Sequence, residues 1–499
     1  MINKKYGVFS NHDADFYSRF GEYCKDITLT KGNAKQHLYD FFEKNLSPHI
    51  SDYVINISDL SSAVPSEVMS FMGDIYDRTV ENGIPVDWKD MPNQKFSHLL
   101  YYDFGIDLFS ELFGYLKNHN CRYWLSFRMN DCHNGNVKTS NLRSDFFYTA
   151  KNNGWMVGEK YGYWETCLDF SIKQVREYTL SYIKEQLMRY DAYGVEWDFM
   201  REPVCFDYLE RGDCCDIMNA FFRELKSAVN SAEEKWGHPI KINVRVTRDI
   251  GQNKIFGLDV HTWIKEKLVD SITVTPRFNI TDSDMPIADW KKLVDGTGVE
   301  LYAGIEILSY DIKMNDSKVV AAYSKKYFYQ GADKIYLFNY FYGHAINNQH
   351  PDVSECTFAG ASPENTEKTD NRFVVTHQDF GPLGCKLYTP LPFEATDGCE
   401  FEIVTAPYSE KQNIRIFIAA DNDINISING CASQPLSDTS DAFVKVPEKE
   451  SFNSYRLFEN TKMYGFDVIC NASGDKQVLK FNCNKKTNIS YIELYFHNS

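Results

Sequence analysis

The sequence predicts an α/β chain built as a (β/α)8 TIM-type barrel followed by an all-β, jelly-roll-like sandwich. Three observations predict it. Up to about residue 345, short strand-like runs alternate with longer helical stretches, and eight such runs are the number that closes a parallel barrel. From about Val374 the pattern turns alternating and helix-poor, with turn signals between short strands. The 499 residues are too many for one ordinary domain and suit a barrel plus one accessory module. The expected division is 1–372 for the barrel and 373–499 for the sandwich.

In chain order the expected strands are Tyr6–His12, Tyr53–Ser58, Arg122–Asn130, Gly194–Phe199, Lys241–Thr247, Ser271–Arg277, Glu300–Glu306 and Lys334–Asn339. The clearest helix runs from Ile172 to Tyr190, where Ile172, Val175, Tyr182, Ile183 and Leu187 fall near helical spacing. Two more are expected at Ile106–Asn118 and Cys215–Trp236. Residues 345–380 read as a long polar loop. Beyond it FEIVTAP, IRIFIAAD, INISING and SYIELYF have the alternation of half-buried strands.

Composition narrows the function classes. Hydrophobic residues make up 43% and charged residues 24%, which excludes a disordered chain. No run of about 18 apolar residues appears, so no membrane partner is expected. Lys+Arg number 53 against Asp+Glu 69, a net charge of −16 that disfavours nucleic-acid backbones. An aromatic content of 15% fits neutral sugars, whose apolar faces stack on flat rings, and equally fits a large core. The 13 cysteines show no C-x-x-C spacing, and the opening MINKKYGVFSNHDADF has no apolar leader. Mostly buried thiols and a cytoplasmic location are expected, or a secreted one if a leader has been removed.

Residues two apart share a strand face. Ser10 and His12 therefore pair on strand one, Asn56 and Ser58 on strand two, and Ser126, Arg128 and Asn130 on strand three. Glu196 and Asp198 pair on strand four, Asn243, Arg245 and Thr247 on strand five, and Thr273, Thr275 and Arg277 on strand six. Strand seven ends in Glu306 and strand eight in Asn339. The opposite faces are apolar (Val195, Trp197, Phe199; Ile242, Val244, Val246), as outer faces under helices must be. A structural barrel is bulky and branched inside, whereas polar residues here gather towards the C-terminal strand ends, where barrel active sites are built. Buried charge is costly unless paired, so the pattern points to a site. The competing account is a structural salt bridge of Glu196 with Arg128 or Arg245.

The block Cys167–Pro203 (CLDFSIKQVREYTLSYIKEQLMRYDAYGVEWDFMREP) resembles bacterial glycosyl hydrolase-like barrel proteins, especially the family-ten-like group. The resemblance extends to LSFRMNDCHNG after strand three and GLDVHTWIKEKLVDSITVTP before strand six. It covers roughly the first 345 residues. Tyr193-Gly194 stands where Asp-Gly is usual, and Trp197 replaces a smaller residue. INISING resembles a strand of the jelly-roll modules attached to such barrels.

The resemblance implies glycoside cleavage, a carbohydrate substrate and two carboxyl groups flanking the bond, in a reaction expected to be retaining. In one scheme Asp198 or Glu196 donates the proton and Glu306 is the nucleophile. In another Asp198 attacks, and Asp282 or Asp284 in the loop after strand six donates. Arg128, Asn130, Asp131, His133 and Arg201 follow strands three and four, and with His12, Arg245, Arg277 and Asn339 they are candidate substrate contacts or loop anchors. The long aromatic loop 134–166 offers Trp155 and Trp164 as sugar platforms or as a mini-core. No cofactor and no metal are implied: phosphate-cradling glycine loops are absent, and His12, Asp13 and Asp15 lack metal-site spacing. Two other classes stay open, a glycan-binding barrel without turnover and a barrel enzyme of other chemistry.

Overall fold

The computed structural model describes residues 7–13, 15–58, 61–81, 92–132, 143–276, 280–309, 313–343, 352–375, 381–382, 385, 390–409, 411–444 and 460–497. Eight parallel strands close a barrel: β1 Val8–His12, β2 Ile50–Asn56, β3 Arg122–Arg128, β4 Gly194–Asp198, β5 Lys241–Thr247, β6 Ser271–Thr275, β7 Glu300–Glu306 and β8 Lys334–Phe338. They neighbour one another in sequence order, and β1 closes on β8 through Phe9↔Tyr336 and Asn11↔Phe338. All eight expected strands are present. β2 is displaced furthest from its expected bounds, starting at Ile50 rather than Tyr53 and so taking in Asp52. Its carboxylate accepts from Arg122 (2.5 Å), Trp124 Nε1 (3.0 Å) and Lys334 (2.7 Å) at the N-terminal end of the barrel.

The barrel interior is layered. Above the Asp52 cluster, Phe9, Val54, Trp124, Tyr302, Tyr336 and Phe338 form an aromatic plug separate from the main core. Carboxylates and Arg245 lie towards the C-terminal strand ends. Outside, the apolar faces of the strands pack under helices, as where Phe127 of β3 meets the helical Tyr182 edge-on with ring centroids 6.1 Å apart. The expected helices are seen as Leu108–Asn118, Lys173–Arg189 and Cys215–Trp236. Asp107 caps the first by accepting from Phe109 N and Ser110 N, and Gly237 ends the last at φ +74.

The segment expected as a polar loop instead carries two short helices, Val353–Gly360 and Pro363–Glu367. Asp352 accepts from Glu355 N at 2.9 Å and Ser362 from Asn365 N at 3.3 Å, so the polar residues that read as loop are the caps. The C-terminal part forms two antiparallel sheets, as in a sandwich. One runs in the order 371–375, 487–496, 412–420, 462–470, 434–436, and the other 400–404, 476–483, 424–428, 431–432. Strand Asn371–Val375 lies against the helix Ser317–Tyr329, where Tyr323 and Thr281 donate to Val374 O at 2.7 and 2.8 Å. All 13 cysteines are free thiols, most of them buried.

Candidate active site

β4 and β5 lie side by side with Asp198 opposite Arg245, and β7 brings Glu306 to the same level of the lumen. Arg245 Nη1 donates to Asp198 Oδ2 at 3.2 Å, and Nη2 donates to Glu306 Oε1 at 2.9 Å. One guanidinium thus bridges a strand-four and a strand-seven carboxylate. Phe338 supports it from beneath, with the guanidinium carbon 4.0 Å from the ring centroid. Asp198 is held further by its own turn, Oδ1 accepting from Met200 N at 2.8 Å and Arg201 N at 3.2 Å. The bridge is buried, with all three residues at most 2% exposed.

Glu196, one pleat below Asp198, is enclosed. Oε1 accepts from Ser126 (2.8 Å), Tyr336 (3.0 Å) and Asn11 (3.4 Å), and Oε2 accepts from Asn243 (2.8 Å). Burial, followed by repulsion from Asp198, pushes its carboxyl up to about 7 despite these donors. The expected salt bridge is therefore distributed differently. Arg245 pairs with Asp198 and Glu306, while Glu196 is satisfied by neutral donors. Burial pushes Arg245 down, but the two carboxylates and Tyr336 outweigh it and keep the guanidinium charged.

Around this centre several expected residues act as clips. Arg128 pairs with Asp131 at 2.9 Å and with Asp13, joining the ends of β1 and β3. Asn130 donates to Leu168 O and Val204 O and accepts from Leu168 N, all at 2.9 Å. Arg201 lies beside Asp198 at 7% exposure. Trp164 is buried and donates to Glu202 at 2.6 Å, while Tyr163, half exposed, donates to the other Glu202 oxygen at 3.1 Å. Trp155 is half-buried against Phe146. Among the described residues, no group of three or more His, Cys, Asp or Glu is placed to hold a metal ion.

Three placements differ from expectation. His12 does not face the lumen: it stacks on Tyr53 at 3.9 Å and accepts or donates at Tyr53 OH (3.0 Å) and Ser10 (3.2 Å) in the outer layer. Burial, then Arg19, lowers its pKa well below the ordinary range, so it is neutral. The inward face of β1 is Phe9 and Asn11. Asn339 lies past the end of β8, in a left-handed turn at φ +64 with its N–H on Asn11 O. Asp282 pairs with Arg248 outside the strands, and Asp284 is exposed; among the described residues neither contacts Asp198. His133 and Arg277 lie outside the described residues. Sequence reasoning missed Asn11, Tyr336, Phe338 and Glu202. Asn11 is the i, i+2 partner of Phe9, and Tyr336 and Phe338 share one face of β8, so strand alternation could have exposed these three, whereas Glu202 left no signal.

No known family matches the sequence, and no curated protein matches it. Solved structures do. The glycoside hydrolase domain of PgaB from Bordetella bronchiseptica is 9% identical with a TM-score of 0.41, over 71% of this chain and 98% of that one. A chitinase from Bacillus thuringiensis is 9% identical with a TM-score of 0.38, over 97% and 100%. A multi-modular cell-surface chitinase from Paenibacillus is 9% identical with a TM-score of 0.40, over 94% of this chain and 52% of that one. None is described as family ten, so the family-ten resemblance gains no support, and no residue role is transferred from them.

Proposed function

We propose that this chain is a glycoside hydrolase acting on an oligosaccharide or polysaccharide, with an accessory sandwich beside its catalytic barrel. The observation that carries the reading is the bridge Asp198–Arg245–Glu306 at the C-terminal end of the lumen. Two carboxylates on opposite strands meet there, the pair that glycosidic cleavage needs. Sharing one guanidinium keeps the two carboxylates near each other, as a retaining or an inverting pair requires, and the reading takes them as a retaining pair. In this reading Asp198 first takes up a proton from solvent, and gives it to the leaving oxygen while Glu306 attacks the anomeric carbon. Water, deprotonated by Asp198, then releases the sugar from Glu306. Glu196 is a positioning residue, since both its oxygens are already occupied.

One observation favours a second reading, a glycan-binding barrel without turnover. Both carboxylates are buried and paired, as an inert ion-pair network would also be. NMR-followed hydrolysis of a broad glycan and aryl-glycoside panel separates the two. Cleavage by the wild type, lost in folded Asp198→Asn and Glu306→Gln, with the β or α product seen first, supports the hydrolase and gives its stereochemistry. Saturable glycan binding with no cleavage by any of the three proteins moves the assignment to the binding protein.

A further inference from the structure

The chain leaving β7 folds back on the backbone of Glu306. Glu306 O accepts from Asn315 Nδ2 at 2.7 Å and from Tyr340 OH at 3.0 Å, and Asn315 N donates to Ile307 O at 2.7 Å. Asn315 is fully buried, so its amide has no water to take in place of the Glu306 carbonyl. Between Ile307 and Asn315, Leu308 pairs with Met314 and Ser309 with Lys313 in a short antiparallel hairpin. Whatever holds Lys313 therefore also holds the segment that presents Glu306.

What holds Lys313 comes from the sandwich. Its Nζ lies 5.1 Å from the centroid of the Phe443 ring, within the range of a cation–π contact. Phe443 is pinned in turn. Its N–H donates to Glu493 Oε2 at 2.9 Å, while Arg372 Nη1 donates to Glu493 Oε1 at 2.8 Å and to Asp441 O at 3.0 Å. Tyr491 OH donates to the same Glu493 Oε2 at 2.5 Å. Arg372, Tyr491 and Glu493 are at most 4% exposed. A buried ion pair is often no more stabilising than apolar residues of similar volume, so sheet stability alone gives a poor account of this one. What it does fix is the backbone of Asp441–Phe443. Tyr495, two residues from Glu493 and on the same strand face, accepts from Lys318 Nζ at 2.5 Å, so that face is turned towards the barrel.

We infer that Phe443, held by Glu493 and Arg372, is a positioning residue for Glu306, and that the sandwich is the backstop of the hairpin behind this carboxylate. Phe443 acts through Lys313 and Asn315. The inference rests on the reading above for what Glu306 does, and not for the link between sandwich and hairpin.

The test uses the full chain with Phe443→Ala, Lys313→Gln, their double variant and Lys313→Arg, which keeps a cation at the ring. Hydrogen exchange is followed in the peptides that carry Ile307–Ser309 and Lys313–Asn315. Steady-state kinetics are measured on an aryl glycoside that the wild type cleaves. In both single variants, exchange at the hairpin should rise about fivefold and kcat fall about fivefold, the worth of one partly buried cation–π contact. KM should stay within about twofold, because the ring touches no substrate. The double variant should match Phe443→Ala, since both changes remove one contact, and Lys313→Arg should behave as the wild type. A lower Tm with unchanged exchange and kcat, an effect on KM alone, or additive losses in the double variant overturn the inference. If Phe443→Ala fails to fold, the Lys313→Gln and Lys313→Arg pair decides, because neither alters the sandwich. Faster hairpin exchange in the variants of a wild type that cleaves nothing leaves the link standing and the hydrolase reading fallen. Wild-type cleavage with exchange and kcat unchanged in the variants does the reverse, and no cleavage with unchanged exchange overturns both.

Discussion

Replacing Glu196 by glutamine tests the electrostatics of the barrel directly. Its carboxyl, pushed up to about 7 by burial and then by Asp198, has an ordinary value of 4.5. Between those two values the folded protein keeps a proton at Glu196 that the unfolded chain has released, so stability falls as pH rises through this window. At about 1.36 kcal/mol per tenfold, the step amounts to about 3 kcal/mol, fully present above pH ~7 and absent below pH ~4.5. Glu196→Gln cannot ionise and lacks this slope. Its amide faces the Asn243 NH2, which adds a penalty of about 1–3 kcal/mol that does not vary with pH. Glu493, also pushed to about 7 by burial, is present in both proteins and cancels in the difference. Urea denaturation of both proteins at pH 4.5, 5.5, 6.5, 7.5 and 8.5 gives the assay. The variant should gain about 3 kcal/mol on the wild type across the series. Curves parallel to within about 1 kcal/mol would show that Glu196 does not titrate in this window, and the account of its burial would fall.

Arg245→Met leaves Asp198 and Glu306 buried without their shared cation, and should cost about 3–5 kcal/mol in urea denaturation at pH 7. Gly304→Ala puts a Cβ 2.0 Å from the Thr275 methyl, with an expected cost of about 1–3 kcal/mol; Thr275→Ser in the same chain removes the methyl and should recover most of the lost Tm. Glu202→Gln sets an amide donor against the Trp164 or Tyr163 donor, costing about 1–3 kcal/mol, and limited proteolysis should cut the 143–166 segment faster than in the wild type.

The barrel was legible because strands buried on both faces still alternate in kind. On β4 and β5, charged and amide residues on one face stand against Val195, Trp197, Val244 and Val246 on the other. β1 defeats that logic. Both of its faces mix one polar residue with a ring (Phe9 and Asn11, Ser10 and His12), and both are buried, so polarity does not tell lumen from helix layer. The register with β2 also shifts between Val8 and Phe9, a backbone irregularity with no sequence marker. Pairings across the lumen were illegible for a different reason. Glu306 lies 61 residues from Arg245, and only ring closure brings them together. Trp164 stayed open between a platform and a mini-core residue in the sequence because the partner it is buried against, Glu202, sits on the other side of strand four in the chain.

The charges in the mouth favour one kind of ligand over another. Two guanidiniums, Arg128 and Arg245, face four carboxylates paired to them, Asp13, Asp131, Asp198 and Glu306. With Glu196 protonated and Asp198 still ionised, two cations against four anions leave this paired set at −2; Arg201, beside Asp198, brings it to −1, and ionisation of Glu196 above about 7 adds one negative charge. That surplus sits in a low-dielectric lumen where little water screens it. An anion entering there would meet that surplus, whereas a neutral ring would feel no net repulsion. A ring that becomes positive only as its glycosidic bond breaks would be attracted most at that moment, and interactions that strengthen only in the transition state are the ones that raise a rate. Asp198 and Glu306 need no rearrangement to supply this field, because Arg245, the turn at Met200 and Arg201, and the Phe338 ring already hold them in place. The same bridge that makes the pair look inert therefore keeps two carboxylates together in a buried position, as a charge-stabilising site requires.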